Sequence, residues 1–382
     1  MPMRKYVKWG IGIIGTPFIL FAILAILFYF PPFQKWAVKQ VTAYASEKTK
    51  TEITINHVNL EFPLNLGIEG VKILQQNDSM PQIKDTVADI KKVVANVKLI
   101  PLFSKKIDID ELSFDCMKVN TTNFIHEARM KGTIARMDLV SHCIDLGAEH
   151  VNIDKANLKN AVLDVALSDT VPKDTTKKSN FWKINVHTVN IEKTDLTVHM
   201  PGDTLQVRAY LGKSITEGGY FDLYRGTFKV KRFDWKDGSL NYDNNFKIHS
   251  KRFDYNHFRL SNIAIGIENL SYLAPNLRMK LRECSFKEKS GIAVDALSGK
   301  MHLDSNRLFL QNLYFKTPQS YLRARVSLDL NTFVKGNPGK FNVALYGSLG
   351  KYDLMRFMGT MPLAFRKQWP NYSLSVSGTP QQ

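Results

Sequence analysis

Leu205-Gln206-Val207-Arg208-Ala209-Tyr210-Leu211 decides how the chain is read, because apolar and polar residues alternate at every step. Successive side chains of an extended strand point to opposite faces, so this run has one apolar and one polar side. The same grammar returns along the chain. Leu277, Met279 and Leu281 alternate with Arg278, Lys280 and Arg282, and Leu322, Ala324, Val326 and Leu328 alternate with Arg323, Arg325 and Ser327. Ala135, Met137 and Leu139 continue it, as do Phe341, Val343 and Leu345, and then Tyr372, Leu374 and Val376. Period two from Ile53 onwards predicts a mainly β protein.

Punctuation between the runs comes from Gln76-Asn77-Asp78-Ser79, Pro201-Gly202-Asp203, Glu217-Gly218-Gly219, Lys236-Asp237-Gly238, Tyr242-Asp243-Asn244-Asn245 and Gly336-Asn337-Pro338-Gly339. These read as turns, and short connections join antiparallel neighbours. The long polar insertion Ser168 to Asn180 reads as a surface loop, and Lys351 to Met358 as a helix that breaks the β pattern. Val151-Asn152-Ile153-Asp154-Lys155-Ala156-Asn157-Leu158 resembles Val189-Asn190-Ile191-Glu192-Lys193-Thr194-Asp195-Leu196; Ile53 to Leu60 is a looser copy and Ile107 to Leu112 a degenerate one. Such self-similarity points to a quasi-one-dimensional array rather than several globules.

An apolar sheet face that runs over most of the chain must be hidden from water. A sandwich, a closed barrel and a sheet bent into a trough all achieve this. If roughly 18 strands stack at about 4.8 Å, the array is on the order of 85 Å long. In a trough the lining residues are Leu205, Val207, Ala209, Leu211, Leu277, Met279, Leu281, Leu322, Ala324 and Val326, and in a closed sheet the same residues are ordinary core. A trough that leaves its lining available suits a lipid acyl chain.

The N-terminus sets the compartment. No charged residue occurs between Trp9 and Gln34. A hydrocarbon core of about 30 Å needs roughly 20 helical residues, so this run is long enough to span a bilayer. Arg4, Lys5 and Lys8 precede it, and Tyr6, Trp9, Tyr29 and Trp36 flank it as interfacial aromatics do. A cleaved signal peptide has a shorter apolar region, and Ala43-Tyr44-Ala45 lies too far beyond this one to serve as its cleavage site. Residues 1–31 are therefore expected to be a cytoplasmic leader and membrane anchor. Residues 32–50 are expected to be an amphipathic helix, with Phe33, Trp36, Ala37, Val41 and Tyr44 at helical spacing, and 51–382 the exported β-array.

Lys and Arg number 52 against 35 Asp and Glu, a net charge of +17. Many of these cations occupy alternate strand positions, which places them on a solvated sheet face rather than in the localised stripe that nucleic acid requires. A phospholipid membrane is the anionic partner this distribution favours. Chemistry-bearing motifs fail one by one. Gly10-Ile11-Gly12-Ile13-Ile14-Gly15 matches a dinucleotide fingerprint but lies inside the apolar anchor. Gly212-Lys213-Ser214 lacks the glycine of a phosphate loop, since Val207 stands there. Asp108, Asp110 and Glu111 form only a short acidic cluster, and His142 beside Cys143 lacks further ligands. Cys116, Cys143 and Cys284 form no C-x-x-C pair. No catalytic, cofactor or metal site is expected, and the protein reads as a non-enzyme.

The order of these features resembles the AsmA-like family, and within it the N-terminal part of the TamB proteins. The resemblance is carried by the leader and anchor from Arg4 to Phe30, the helix containing Trp36, and Ile53 to Leu60. It continues through Leu64-Asn65-Leu66-Gly67-Ile68-Glu69-Gly70-Val71, Val93 to Pro101-Leu102, and Ile107 to Phe114. It implies an elongated, antiparallel, taco-like β-trough with an apolar interior, reaching from a bacterial inner membrane into the periplasm. It also implies a part in phospholipid transport and outer-membrane biogenesis, or alternatively in assembly of outer-membrane β-barrel proteins or autotransporters. A membrane-anchored structural β-domain with a closed core is the third reading. TamB proteins are usually far longer and meet an outer-membrane partner through a C-terminal domain, so by this resemblance the sequence reads as truncated after Gly378.

Overall fold

The computed structural model describes residues 39, 43, 46, 51–61, 65–77, 80, 82–97, 107–121, 128–145, 148–167, 183–203, 205–222, 224–244, 253–273, 275–331, 339–358 and 372–378. The expected anchor lies outside them, and of the expected amphipathic helix only Lys39, Ala43 and Ser46 are described, all three helical. Ser46 meets the first strand: its carbonyl accepts the Thr51 N–H at 3.1 Å and its hydroxyl accepts the Ile53 N–H at 3.2 Å. Among the described residues no helix is long and apolar enough to cross a membrane.

The strands are β1 (Glu52–Glu61), β2 (Asn65–Gln76), β3 (Lys84–Val97), β4 (Ile107–Asn120), β5 (Ala128–Asp145), β6 (His150–Leu167), β7 (Lys183–His199), β8 (Gln206–Asp222), β9 (Thr227–Asp243) and β10 (His257–Leu273). They continue as β11 (Asn276–Glu288), β12 (Ala293–Val294), β13 (Ala296–Leu303), β14 (Arg307–Lys316), β15 (Tyr321–Asp329), β16 (Phe341–Ser348) and β17 (Tyr372–Gly378). All belong to one 17-stranded sheet. Each strand pairs with its neighbours in sequence, and β12 and β13 share one place beside β11. The sheet is open, with β1 and β17 as its edges among the described residues. Sixteen places at about 4.8 Å spacing give a length of roughly 70 Å. The expected helix is present as α1 (Lys351–Met358), between β16 and β17.

One pair departs from the antiparallel expectation: β6 and β7 run parallel, with His150 opposite Lys183 and Ala166 opposite His199. A hairpin turn cannot return the chain to its starting end, so a parallel pair needs a connection of a dozen or more residues. The polar insertion read as a surface loop is the segment that separates these two strands, and residues 168–182 lie outside the described set.

Two of the six turn signals also lie elsewhere than expected. Glu217-Gly218-Gly219 falls inside β8 and Lys236-Asp237-Gly238 inside β9. Gly218 has φ 64° and Asp237 φ 52°, so each kinks its strand without reversing it. The same device recurs at Gly70, Cys116, Asn160, Lys193 and Asn262, with φ of 65°, 52°, 51°, 48° and 52°. At each, the apolar side chains step by three residues instead of two: Ile68 to Val71, Phe114 to Met117, Leu158 to Ala161, Ile191 to Thr194, Trp235 to Gly238 and Leu260 to Ile263. A left-handed residue inside a ladder acts as a bulge, bending the strand and sharpening its twist.

The registers bring these kinks to one level. Beside the break, Glu69 pairs with Lys92, Lys92 with Asp115, Asp115 with Arg136, Arg136 with Lys159, Lys159 with Glu192, and Glu192 with Lys213. A crease therefore crosses ten strands. Immediately beyond it sit several of the best-buried side chains of the protein, including Val71, Ile90, Ile134, Ala161, Thr194 and Ile263. A second crease follows Gly218 and Asn269, where the apolar step is again three residues: Ile153 to Ala156, Val186 to Val189, Val230 to Phe233 and Ile267 to Leu270.

Left-handed backbone costs an ordinary side chain about 1–2 kcal/mol, least for glycine and asparagine. Asn160→Gly is therefore expected to keep or raise the thermal midpoint, whereas Asn160→Val lowers it, as followed by circular dichroism. Equal midpoints for the two variants would show that the crease does not need its left-handed residue.

Candidate functional site: a continuous apolar face

Residues directly opposite in a ladder share a sheet face, so the registers trace how far the apolar side extends. One row runs Ile53, Ile73, Ala88, Val119, Gly132, Leu163, Leu196, Ala209, Leu240 and Leu260, from β1 to β10. Another begins at Leu112 and passes through Leu139, Ala156, Val189, Thr216, Phe233 and Ile267 to Leu281. A third, Met279, Met301, Leu310, Val326 and Val343, carries the face on to β16. The residues anticipated from alternation fall on this face. Val207 stands opposite Val198 and Tyr242, Leu211 opposite Thr194, Leu277 opposite Leu303, Leu322 opposite Phe315, and Ala324 opposite Leu313 and Leu345.

Leu205 lies one residue before β8, and its carbonyl accepts the Met200 N–H at 2.8 Å as the chain turns from β7. Ala135, counted with Met137 and Leu139, does not share their face. It is exposed, and it sits at the crease where the alternation slips. The ten anticipated lining residues are all half-buried. That is the exposure of residues on a partly covered sheet face, not of a sealed core. The tightest packing is local: Val71, Ala88, Ile90 and Val93, with Ile53, Ile55, Ile68, Ile73, Leu112, Phe114 and Met117 against them, form the core under β1 to β4.

The opposite face is a lattice of cross-strand ion pairs. Arg136 Nη1 is 3.6 Å from Asp115, Lys159 Nζ 3.8 Å from Glu192, and Arg232 Nη1 3.9 Å from Glu217. Lys280 Nζ lies 2.8 Å from Glu268, whose carboxyl this hydrogen bond holds below its ordinary value. Arg136 donates from Nε to Asp138 at 3.0 Å, and Ser113 donates its hydroxyl to the same carboxylate at 2.8 Å. Burial pushes Asp138 up, but these two hydrogen bonds outweigh it and hold its pKa down, while Arg136 is raised by the same contact. Exposed pairs each contribute about 0–1 kcal/mol, so this lattice sets register more than stability.

The parallel pair carries a signal that alternation alone did not reveal. Asn185 donates to the Asn152 side chain and Asn190 to that of Asn157, both at 2.8 Å, and His199 meets Asp164 at 3.1 Å. In this register Val151-Asn152-Ile153 faces Ile184-Asn185-Val186, and Ala156-Asn157-Leu158 faces Val189-Asn190-Ile191. The structural repeat spacing is thus 33 residues. Val151 to Leu158 and Val189 to Leu196 look alike because each contains a three-residue step, Ile153 to Ala156 at the second crease and Ile191 to Thr194, beside left-handed Lys193, at the first.

Among the described residues no group of three or more His, Cys, Asp or Glu is placed to hold a metal ion. Gly212-Lys213-Ser214 lies within β8 at the first crease, with Ser214 buried on the apolar side opposite Ile191 and Trp235. Among the described cysteines, Cys116 is exposed and Cys284 buried, and burial pushes the Cys284 thiol above its ordinary pKa. No protein-family model matches the chain, and no curated protein matches it.

Two measurements check these placements. The stabilisation from Asp138 is full above the unfolded carboxylate value of about 3.9 and lost as pH falls through the lower folded value. Asp138→Asn should therefore lower the melting temperature at pH 7, with the gap from wild type closing below pH ~4. A gap independent of pH would contradict it. Alkylation of the folded protein at pH 8, mapped by peptide mass, should modify Cys116 and spare Cys284; the reverse pattern would mean the two faces are misassigned.

Proposed function

We propose that this protein is a non-enzymatic lipid-conducting trough of the AsmA-like kind, held at a bacterial inner membrane by its N-terminal apolar segment. The observation that carries the reading is the unbroken apolar face from β1 to β16, whose anticipated lining residues are half-buried rather than sealed. Hiding a methylene from water gains about 0.8 kcal/mol, so an acyl chain of some fifteen methylenes carries on the order of 12 kcal/mol. That penalty forbids free passage through water. A lining that continues from strand to strand keeps the chain covered at every step, so sliding needs only local rearrangement.

The two creases supply the concavity. They fold the sheet toward its apolar side, where the best-buried residues lie, and leave the ion-pair lattice outside. Phospholipid headgroups then stay near water while acyl chains lie on Val207, Ala209, Leu211, Met279 and Leu281. By this reading the phospholipid is cargo, the exported array stands in the periplasm, and the place of the protein is outer-membrane biogenesis.

Photo-crosslinking in cells tests it. Crosslinkers replacing Val207 and Met279 are expected to capture phospholipid, and those replacing the neighbouring Arg208 and Lys280 to capture none. Lipid adducts confined to the latter two would overturn the assignment. Adducts at Val207 and Met279 consisting of polypeptide would instead support a role in assembling outer-membrane proteins.

A further inference from the structure

The polar side of β14, β15 and β16 carries an open depression of about 650 Å³. Its lining includes Tyr314, Arg323, Arg325 and Tyr346, with the small residues Ser298 on β13 and Ala344 on β16 beside them. Ser298, Tyr314, Arg323 and Tyr346 form one cross-strand row, and Arg325 stands opposite Ala344. Leu313, Ala324 and Leu345, which alternate with these residues along the strands, complete the lining. Asn312, at φ 52°, bulges β14 at its border.

Its charge is unbalanced. From Thr317 to Gln382 the chain has eight Lys and Arg against two acidic residues, so these 66 residues carry +6 of the net +17. Both acids are engaged elsewhere. Asp329 accepts the Lys340 N–H at 2.8 Å and Arg307 Nε at 2.6 Å. Asp353, buried, accepts the hydroxyls of Thr317 and Ser320 and ties α1 to the turn between β14 and β15. Several arginines of the polar face meet carboxylates, as Arg136 does Asp138, Arg232 does Asp234 and Arg307 does Asp329, while others such as Arg208 and Arg278 do not. Arg323 and Arg325 have no acidic partner among the described residues.

We propose that this depression binds a phosphodiester anion, with the Arg323 and Arg325 guanidiniums forking onto its free oxygens and the Tyr314 and Tyr346 hydroxyls donating beside them. A planar guanidinium matches phosphate geometry with two parallel N–H donors, which a lysine does not. Two such groups around one hollow suit a single diester rather than the track of cations that nucleic acid needs. The diester is a lipid headgroup or a soluble glycerophosphodiester, which share this chemistry. Arg323 and Arg325 alternate with Leu322, Ala324 and Val326, so replacing the arginines tests this site without changing the residues proposed to carry acyl chains.

The full chain in non-ionic detergent, titrated calorimetrically at low salt with glycerophosphoglycerol and with dihexanoyl phosphatidylglycerol, tests the proposal. Saturable binding is expected, weakened at least tenfold by Arg323→Gln with Arg325→Gln and by less than twofold by the charge-matched pair Lys287→Gln with Lys300→Gln. Binding of the soluble diester as tightly as the lipid supports the site with the headgroup alone recognised. Binding of the lipid only supports it with a membrane source. Absence of saturable binding for both ligands, or equal weakening by the two double variants with unchanged circular dichroism, overturns it.

Discussion

The structure depends on one constraint: neighbouring strands must change the parity of their side chains at the same level. A strand that slips by one residue turns its whole apolar set toward water. Here the strands from β1 to β10 make that slip together, six of them (β2, β4, β6, β7, β9 and β10) through a left-handed residue such as Gly70, Asn160 or Asp237, so the apolar face continues across the kink. A lone kink would break the ladder. Aligned kinks instead make a crease, and the face beyond it stays in register with the face before it.

From that alignment follow the division of labour between the two sides and the location of the charge. The two residues that face outward at each kink include many of the charged ones: Glu69, Lys92, Asp115, Arg136, Lys159, Glu192 and Lys213. Most of the directly opposed pairs join opposite signs, Arg136 with Lys159 being an exception, and a one-place slip would turn these charges toward the apolar side. By sequence the positive excess of residues 51–382 is greatest after Thr317, and Arg323 and Arg325 are among its described members. The parallel pair β6 and β7 uses a different register lock, side-chain amides bonded in two steps at Asn152 with Asn185 and Asn157 with Asn190.

Much of this was legible in the sequence, and the misreadings share one cause. Strand alternation placed the apolar residues on one sheet face, and the break in alternation located α1 at Lys351–Met358. Kinks, however, use the vocabulary of turns: glycine, asparagine and aspartate with positive φ. Glu217-Gly218-Gly219 and Lys236-Asp237-Gly238 therefore read as reversals, and Ala135 was assigned the wrong face. The better signature is apolar residues spaced two, three and two apart, as in Ile53, Ile55, Val58 and Leu60, which recurs from strand to strand. The parallel pairing left only the Asn-x-x-x-x-Asn spacing, which period-two reading does not weigh. The apolar run from Trp9 to Gln34, read as an anchor, lies outside the described residues.

One long open sheet with aligned creases, apolar on one face and ionic on the other, accounts for a chain in which one side of nearly every described strand is apolar; the proposed trough adds that the apolar face is the inner one. The most direct test is the number of phospholipid molecules that the intact protein carries, counted by native mass spectrometry after release from detergent. The account predicts several phospholipids per chain, falling stepwise when Ala209 and then Met279 are replaced by aspartate. A lipid-free wild-type protein, or an unchanged distribution in both variants, would contradict it.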